Sequence, residues 1–207
     1  MFILLNMAFK IIDTKFIGGY NFLKDLPKDY PQIALLGRSN AGKSTLVNRL
    51  CNRKSLAKTS KTPGRTQEFN FFEVTYKAND ELKKFHLVDL PGFGFAKFSK
   101  VKQNALSKNI VNYLTSDLPL LGILLLNDSR RTPKEDEFAI QKLCFNYNRF
   151  LQIILTKIDK LKKNDIKKQK EIISKCYNLE ADDVLLSGNG IDVNLIWNRI
   201  FEAGYLE

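Results

Sequence analysis

The sequence predicts one α/β domain, a mostly parallel sheet with helices on both faces. Three observations carry this expectation. Strand-like apolar runs alternate with amphipathic helical stretches along the chain. A glycine-rich turn, Gly37 to Ser44, sits between one such strand and one such helix. The 207 residues hold one full core and leave little room for a second domain, and no repeat or Gly/Ser-rich linker divides them.

Residues 1–15 are expected as an N-terminal extension of a domain spanning 1–207. Met1-Phe2-Ile3-Leu4-Leu5 is apolar but brief, without a basic leader or a small-residue cleavage site, so it does not read as a signal peptide. Met7 offers a second start. After Pro31, Ile33-Ala34-Leu35-Leu36 reads as a short buried strand ending in the glycine turn. Residues 44–53 then carry Leu46, Val47 and Leu50 at helical spacing. Phe69 to Tyr76 reads as a strand, separated by Ala78-Asn79-Asp80 from another at Phe85 to Val88. Residues 101–114 place Val101, Ala105, Leu106, Ile110 and Leu114 on one helical face.

The longest apolar run, Leu118 to Leu126, has nine residues and contains Pro119 and Gly122. A membrane span needs roughly 20 apolar residues, so Leu120 to Leu126 reads as a buried strand and no membrane partner is expected. Thr132-Pro133 with acids behind it marks the start of the next helix. Phe150 to Leu155 follows as a strand, and 165–177 as a Lys-rich helix with Ile166, Ile172 and Ile173 inward. A short strand, Val184 to Leu186, and a helix, Ile191 to Phe201, close the chain. In such sheets ligands bind beyond the carboxyl ends of the strands, where every motif below falls.

Lys and Arg number 33 against 22 Asp and Glu, a formal charge of +11. Solvated lysine faces produce such an excess, and so does a polyanionic partner such as nucleic acid; charge alone does not choose. Cys51, Cys144 and Cys176 are odd in number and widely spaced, which argues against a disulfide framework or zinc site and fits a reducing cytosol. His86 is the sole histidine and reads as a strand residue, leaving no material for a His-based metal site.

Gly37-Arg38-Ser39-Asn40-Ala41-Gly42-Lys43-Ser44, with Thr45 behind it, fits the Gly-x4-Gly-Lys-Ser/Thr phosphate loop. Its glycines let backbone N–H groups close around a β-phosphate, with the helix N-terminus adding positive potential. Lys43 is placed for the β- and γ-phosphates, and the Ser44 hydroxyl for Mg²⁺. Asp89-Leu90-Pro91-Gly92 begins 45 residues after Ser44, at a strand end. An acid there holds Mg²⁺ through water, and the Gly92 N–H meets a γ-phosphate. Thr66, in the polar segment Gly64-Arg65-Thr66-Gln67-Glu68, is a second candidate hydroxyl ligand to Mg²⁺. Lys43, Thr66 and Gly92 are thus the catalytic candidates.

Thr156-Lys157-Ile158-Asp159 follows another strand. A carboxylate at Asp159 accepts two hydrogen bonds from guanine, whereas adenine offers no such donor pair. Lys157 would lie along the base plane. Many motifs of this kind begin with Asn rather than Thr; the lesser alternative, taken without the phosphate loop, is a helix cap with a solvated lysine. Leu186-Ser187-Gly188 lies where a backbone N–H could reach the guanine carbonyl, and by itself is indistinguishable from a turn.

Together with Thr62-Pro63, Asn70-Phe71-Phe72 and the string Asp89-Leu90-Pro91-Gly92-Phe93-Gly94-Phe95-Ala96-Lys97, these motifs resemble EngB (also called YihA or YsxC), a bacterial GTPase family of the TrmE–Era group. The resemblance runs from about Phe16 to the C-terminus. It implies a single P-loop GTPase domain with its nucleotide-binding core at about 31–205, cytoplasmic and monomeric, with GTP/GDP and Mg²⁺ as cofactors. The implied role is assembly of the large (50S) ribosomal subunit and, through it, normal growth and division. Thr-Lys-x-Asp is a form this family commonly shows.

Two positions depart from the family pattern. Gly188 stands where Ser or Ala is usual and Ala41 where Val is frequent; the glycine is expected to loosen the last base-contact loop. Phe93 occupies the place where many GTPases have a water-orienting Gln, which implies slow intrinsic hydrolysis. Asn40 matches a position that in TrmE-type GTPases helps bind K⁺; here it either holds K⁺ or caps the loop locally. Of the lysines, Lys97 and Lys100 follow the Asp89 motif, while Lys163, Lys167 and Lys170 fall at helical intervals as a solvent-facing stripe. The competing reading, a P-loop nucleotide kinase or ATPase, would need an acceptor-substrate site and would not need Asp159.

Overall fold

The computed structural model describes residues 9–53, 56–57, 68–94, 100–202 and 206, with backbone alone over 100–106. A seven-stranded sheet runs through it: β1 (Lys10–Tyr20), β2 (Gln32–Gly37), β3 (Phe69–Ala78), β4 (Glu81–Asp89), β5 (Leu120–Asp128), β6 (Phe150–Thr156) and β7 (Leu185–Leu186). Their spatial order is β1-β3-β4-β2-β5-β6-β7. The β1–β3 and β3–β4 pairs are antiparallel; all pairs from β4 through β7 are parallel. Among the described residues five α-helices cover the sheet: α1 (Lys43–Leu50), α2 (Lys100–Leu114), α3 (Glu135–Asn146), α4 (Lys163–Cys176) and α5 (Asn194–Glu202).

The parallel strands read as continuous apolar runs because both faces are covered. Along β5, Ile123 and Leu125 enter one cluster with Ile110 of α2, Ile140 of α3 and Ile173 of α4. Leu124 and Leu126 point the other way, into a cluster with Leu46 and Val47 of α1 and Trp197 of α5. Each such aliphatic side chain removed from water contributes about 1.5–3 kcal/mol. The parallel register of β2, β4, β5 and β6 brings their carboxyl ends, at Gly37, Asp89, Asp128 and Thr156, to the same end of the sheet.

Three expectations change. No strand was expected before Ile33, yet Lys10–Tyr20, overlapping the expected extension, forms edge strand β1 with register shifts at Ile11/Asp13 and Phe16/Gly18. Ile172 is 37% exposed rather than inward, because the buried stripe of α4 runs through Ile166 and Ile173 and on to Tyr177. The helix after Thr132-Pro133 starts at Glu135: Lys134 is extended, and its N–H donates to the Glu137 carboxylate at 3.0 Å. Among the described residues no helix is long and apolar enough to cross a membrane.

Candidate functional site

Gly37 ends β2 against β5, where an added Cβ would lie 2.7 Å from the Leu126 carbonyl oxygen. Gly42 is left-handed at φ 101°, which lets α1 begin at Lys43. Buried Lys43 donates to the Gly37 carbonyl at 3.2 Å. Burial lowers its pKa, partly offset by the charge of Asp89. The Ser44 hydroxyl donates to Asp89 Oδ2 at 2.8 Å. Asp89 is 2% exposed; burial raises its carboxyl pKa, with Lys43 and Ser44 pulling the other way. Its other oxygen, Oδ1, is buried without a hydrogen-bond partner.

A buried orphan carboxylate oxygen beside a serine hydroxyl suits a hard divalent cation. Among the described residues no three His, Cys, Asp or Glu side chains form a metal cluster. A cation here would share its shell with phosphate, water and hydroxyl oxygens rather than with a cage of carboxylates, the habit of Mg²⁺ rather than Ca²⁺. Thr45 faces solvent on α1.

The Asp89–Gly92 segment is docked on the phosphate loop. Ser39 N–H donates to the Phe93 carbonyl at 3.0 Å, and Phe93 N–H to the Gly37 carbonyl at 3.3 Å. A Cβ at Gly92 would lie 3.0 Å from both Lys43 Nζ and the Ser39 backbone nitrogen, so glycine is what permits this approach. Leu90 and Phe93 are buried, and Phe93 lies under the Arg38 guanidinium, 5.6 Å from its ring centroid. Arg38 Nε donates to Glu137 Oε1 at 2.7 Å and Nη2 to Asp136 at 3.1 Å. The hydrogen bond to Glu137 is the chief cause of its raised pKa, with burial opposing.

At the other end, Thr156 is tied to the phosphate loop through the Ala41 carbonyl. Lys157, left-handed at φ 58°, donates to the Asn40 carbonyl and to Asp128 Oδ2, the latter at 2.9 Å. Burial pushes the Asp128 carboxyl up, but hydrogen bonds from Arg130 and Lys157 outweigh it and hold its pKa well below the usual range. Ile158 is buried, and Asp159 stands exposed, its Oδ1 accepting the Asn189 N–H at 3.3 Å. Burial raises the Asp159 pKa, and this hydrogen bond with the Lys160 contact reverses the shift to a net lowering. Arg49 of α1 donates to Ser187 Oγ at 2.9 Å and to the Ile191 carbonyl, fixing the last loop from beneath.

Gly188 corrects an expectation. A Cβ there would lie 2.8 Å from Ile158 Cγ1 and 2.9 Å from Asp159 Oδ1, so glycine permits close packing rather than a loosened loop. A cleft of about 290 Å³ beside the phosphate loop is lined by Ser39, Asn40, Asp128, Arg130, Arg131 and Lys157, among others.

Gly64, Arg65, Thr66 and Gln67, with Thr62, Pro63 and Lys97, lie outside the described residues. Glu68 is placed at the start of β3, where its carboxylate accepts a hydrogen bond from Asn21 at 3.4 Å rather than one from the phosphate loop. The fold thus brings Lys43, Ser44, Asp89 and Gly92 together at one end and Thr156, Lys157, Asp159, Ser187 and Gly188 at the other. Sequence reasoning missed Arg49, Asp128, Arg130 and Glu137. Asp128 carried a usable signal, an acid at the end of an apolar strand like Asp89, and Arg130 pairs with it only two positions on; Arg49 and Glu137 are partners across long separations.

Comparison with known proteins agrees with this geometry. Residues 32–178 match the model of a family described as 50S ribosome-binding GTPase. A probable GTP-binding protein EngB of Lactobacillus gasseri is 40% identical over 200 residues, covering 92% of this chain and 97% of that protein. The crystal structure of a probable GTP-binding protein engB superposes with a TM-score of 0.62 at 23% identity, covering 83% of this chain and 97% of the other. Era, crystallised with MgGDPNP and nucleotides 1506–1542 of 16S ribosomal RNA, gives a TM-score of 0.65 at 24% identity over 86% of this chain and 57% of its own. The last two show the fold alone. With the family match covering most of the chain and a relative aligned almost end to end, this chain is a P-loop GTPase and belongs to the EngB family of GTP-binding proteins.

Proposed function

We propose that this GTPase is a Mg²⁺-dependent switch that acts in the cytoplasm on assembly of the large ribosomal subunit. The observation that supports the switch is the docking of Gly92 against Lys43 and Ser39, beside the orphan oxygen of Asp89. A γ-phosphate reaching Lys43 must displace Gly92 or bond to its N–H, so the nucleotide state is passed directly to the segment that follows.

The backbone N–H groups of residues 38–44 cradle the β-phosphate in this reading, and Lys43 supplies charge to the β- and γ-oxygens. Ser44 and Thr66 ligate Mg²⁺ directly and Asp89 does so through water. The ion, when bound, neutralises charge that develops between the β- and γ-phosphates. Asp159 selects guanine, Lys157 lies along the base, and Gly188 N–H meets the guanine carbonyl. Phe93 offers no hydrogen bond to an attacking water, so intrinsic turnover is slow.

The partner reading draws on the description of the matching family as 50S ribosome-binding and on the rRNA bound in the Era crystal, and a charge of +11 suits it. Depletion of the protein in its host, followed by sucrose-gradient analysis of ribosomal particles, tests it. Accumulation of immature large subunits is expected; an unchanged profile rejects the role.

A further inference from the structure

We propose that the exposed lysine face of α4 binds the RNA phosphate backbone and tethers the protein to ribosomal RNA in every nucleotide state. This rests on the large-subunit reading above and adds a surface that the switch does not control.

Between residues 160 and 175 the only acids are Asp165 and Glu171, whereas lysines recur throughout. Lys160 is paired with Asp159 at 3.4 Å, and half-buried Lys170 with Asp182 at 3.3 Å. Lys170 thus leaves the stripe expected from spacing. Lys162, Lys163, Lys167, Lys168 and Lys175 are exposed, and among the described residues none of the five is in an ion pair.

This arrangement works against the helix that carries it. Lys163 and Lys167 are like charges one turn apart, which costs a few tenths of a kcal/mol. Lys162 and Lys163 stand at the N-cap and first turn, the end where the helix dipole disfavours cations. A face kept only for solubility intersperses both signs and avoids such placements. The cost is explained by an anion that arrives from outside. Lys163 and Lys167 lie about 40° apart around the helix and Lys168 and Lys175 about 100° further round, so the exposed lysines cover a broad solvent face about 18 Å long, enough to meet several phosphates.

Other polyanions fit less well. An interfacial helix commits an apolar face to lipid, but Ile173 of α4 is buried in the core and Ile166 packs against it. An RNA partner agrees with the charge of the whole chain and with the match to a family described as 50S ribosome-binding GTPase. α4 joins β6 to β7, three strand positions away from β4, whose end carries the Gly92–Phe93 segment, hence the independence from nucleotide.

The test measures binding of the purified full chain to a 23S rRNA transcript across a salt series, with GDP and with a non-hydrolysable GTP analogue. Two charge-matched variants are compared: Lys163→Gln/Lys167→Gln/Lys168→Gln, and Lys10→Gln/Lys24→Gln/Lys28→Gln on an exposed surface elsewhere. The α4 variant should lose at least about tenfold in affinity and about 2–3 from the slope of log K against log salt, equally with both nucleotides. The control should lose less than about twofold, and both should keep wild-type GDP binding and thermal stability. Equal losses in the two variants, or an unchanged slope in the α4 variant, overturns the proposal. So does an α4 variant that keeps RNA binding but loses binding to phosphatidylglycerol vesicles. Failure of the ribosome role is separately visible as an unchanged gradient profile on depletion.

Discussion

The Thr156 hydroxyl lies 2.6 Å from the Ala41 carbonyl oxygen, across 115 residues of sequence, and it joins the end of β6 to the phosphate loop. The two halves of the nucleotide site are therefore held in register by this hydrogen bond. Thr156→Val keeps the shape and removes the donor, leaving a buried carbonyl unsatisfied at a cost of about 1–3 kcal/mol. GDP affinity should fall about 5- to 100-fold, and Thr156→Asn should restore most of it. Equal GDP affinity in the Val variant, read by isothermal titration calorimetry, would show that this bond does not align the site.

Asp159→Asn should lose GTP affinity and gain xanthosine triphosphate, since an amide donor suits the xanthine carbonyl. Competition between the two nucleotides measures the exchange directly. Retained GTP preference would remove Asp159 from the base site.

Gly188→Ala puts a methyl group 2.9 Å from Asp159 Oδ1, and either that carboxylate or Ile158 must move. GDP affinity should drop about tenfold with little change in melting temperature. Wild-type affinity in the variant would mean the loop accommodates the methyl group without disturbing Asp159.

Much of this was readable beforehand, and the failures have physical causes. β2, β5 and β6 announced themselves because strands covered on both faces are apolar throughout. β1 did not, because its two register shifts and Gly18-Gly19 break the alternation that marks an exposed edge. The motif residues were legible because their backbone geometry needs particular side chains at fixed spacing. Their supports were not. Arg38 reaches Glu137 across 99 positions and Arg49 reaches Ser187 across 138, and no local pattern encodes such pairs. Gly188 was misread for a related reason: the sequence shows a missing side chain but not the neighbour that would fill its space.

Asp128 links stability to pH. An unfolded Asp titrates near about 3.9, and the folded Asp128 lies well below that, held by Arg130 and Lys157. Its contribution is fully present above the unfolded value and is lost as pH falls through the folded one. Urea denaturation of wild type and Asp128→Asn should therefore show a constant stability gap between about pH 5 and 8 that begins to narrow below about pH 4 and keeps narrowing as the pH falls further. A gap that stays constant between about pH 5 and 2.5 would contradict the ion-pair origin.

Asn40 is left-handed at φ 62° with its side chain exposed, and among the described residues that side chain makes no hydrogen bond. It is therefore available for K⁺ beside the phosphates, where a cation could supply transition-state charge that Phe93 cannot help organise. Hydrolysis should be faster in KCl than in NaCl at equal ionic strength, and Asn40→Ala should erase the difference. Equal rates for the wild type in both salts would reject a potassium site.

Co-sedimentation with purified 50S particles tests most directly whether nucleotide state governs association with the large subunit. With a non-hydrolysable GTP analogue and Mg²⁺ the protein should pellet with the particles at concentrations where the GDP form stays largely in the supernatant. Equal pelleting in the two states, at a salt concentration where the lysine tether alone is too weak to hold the protein, would contradict control by the nucleotide.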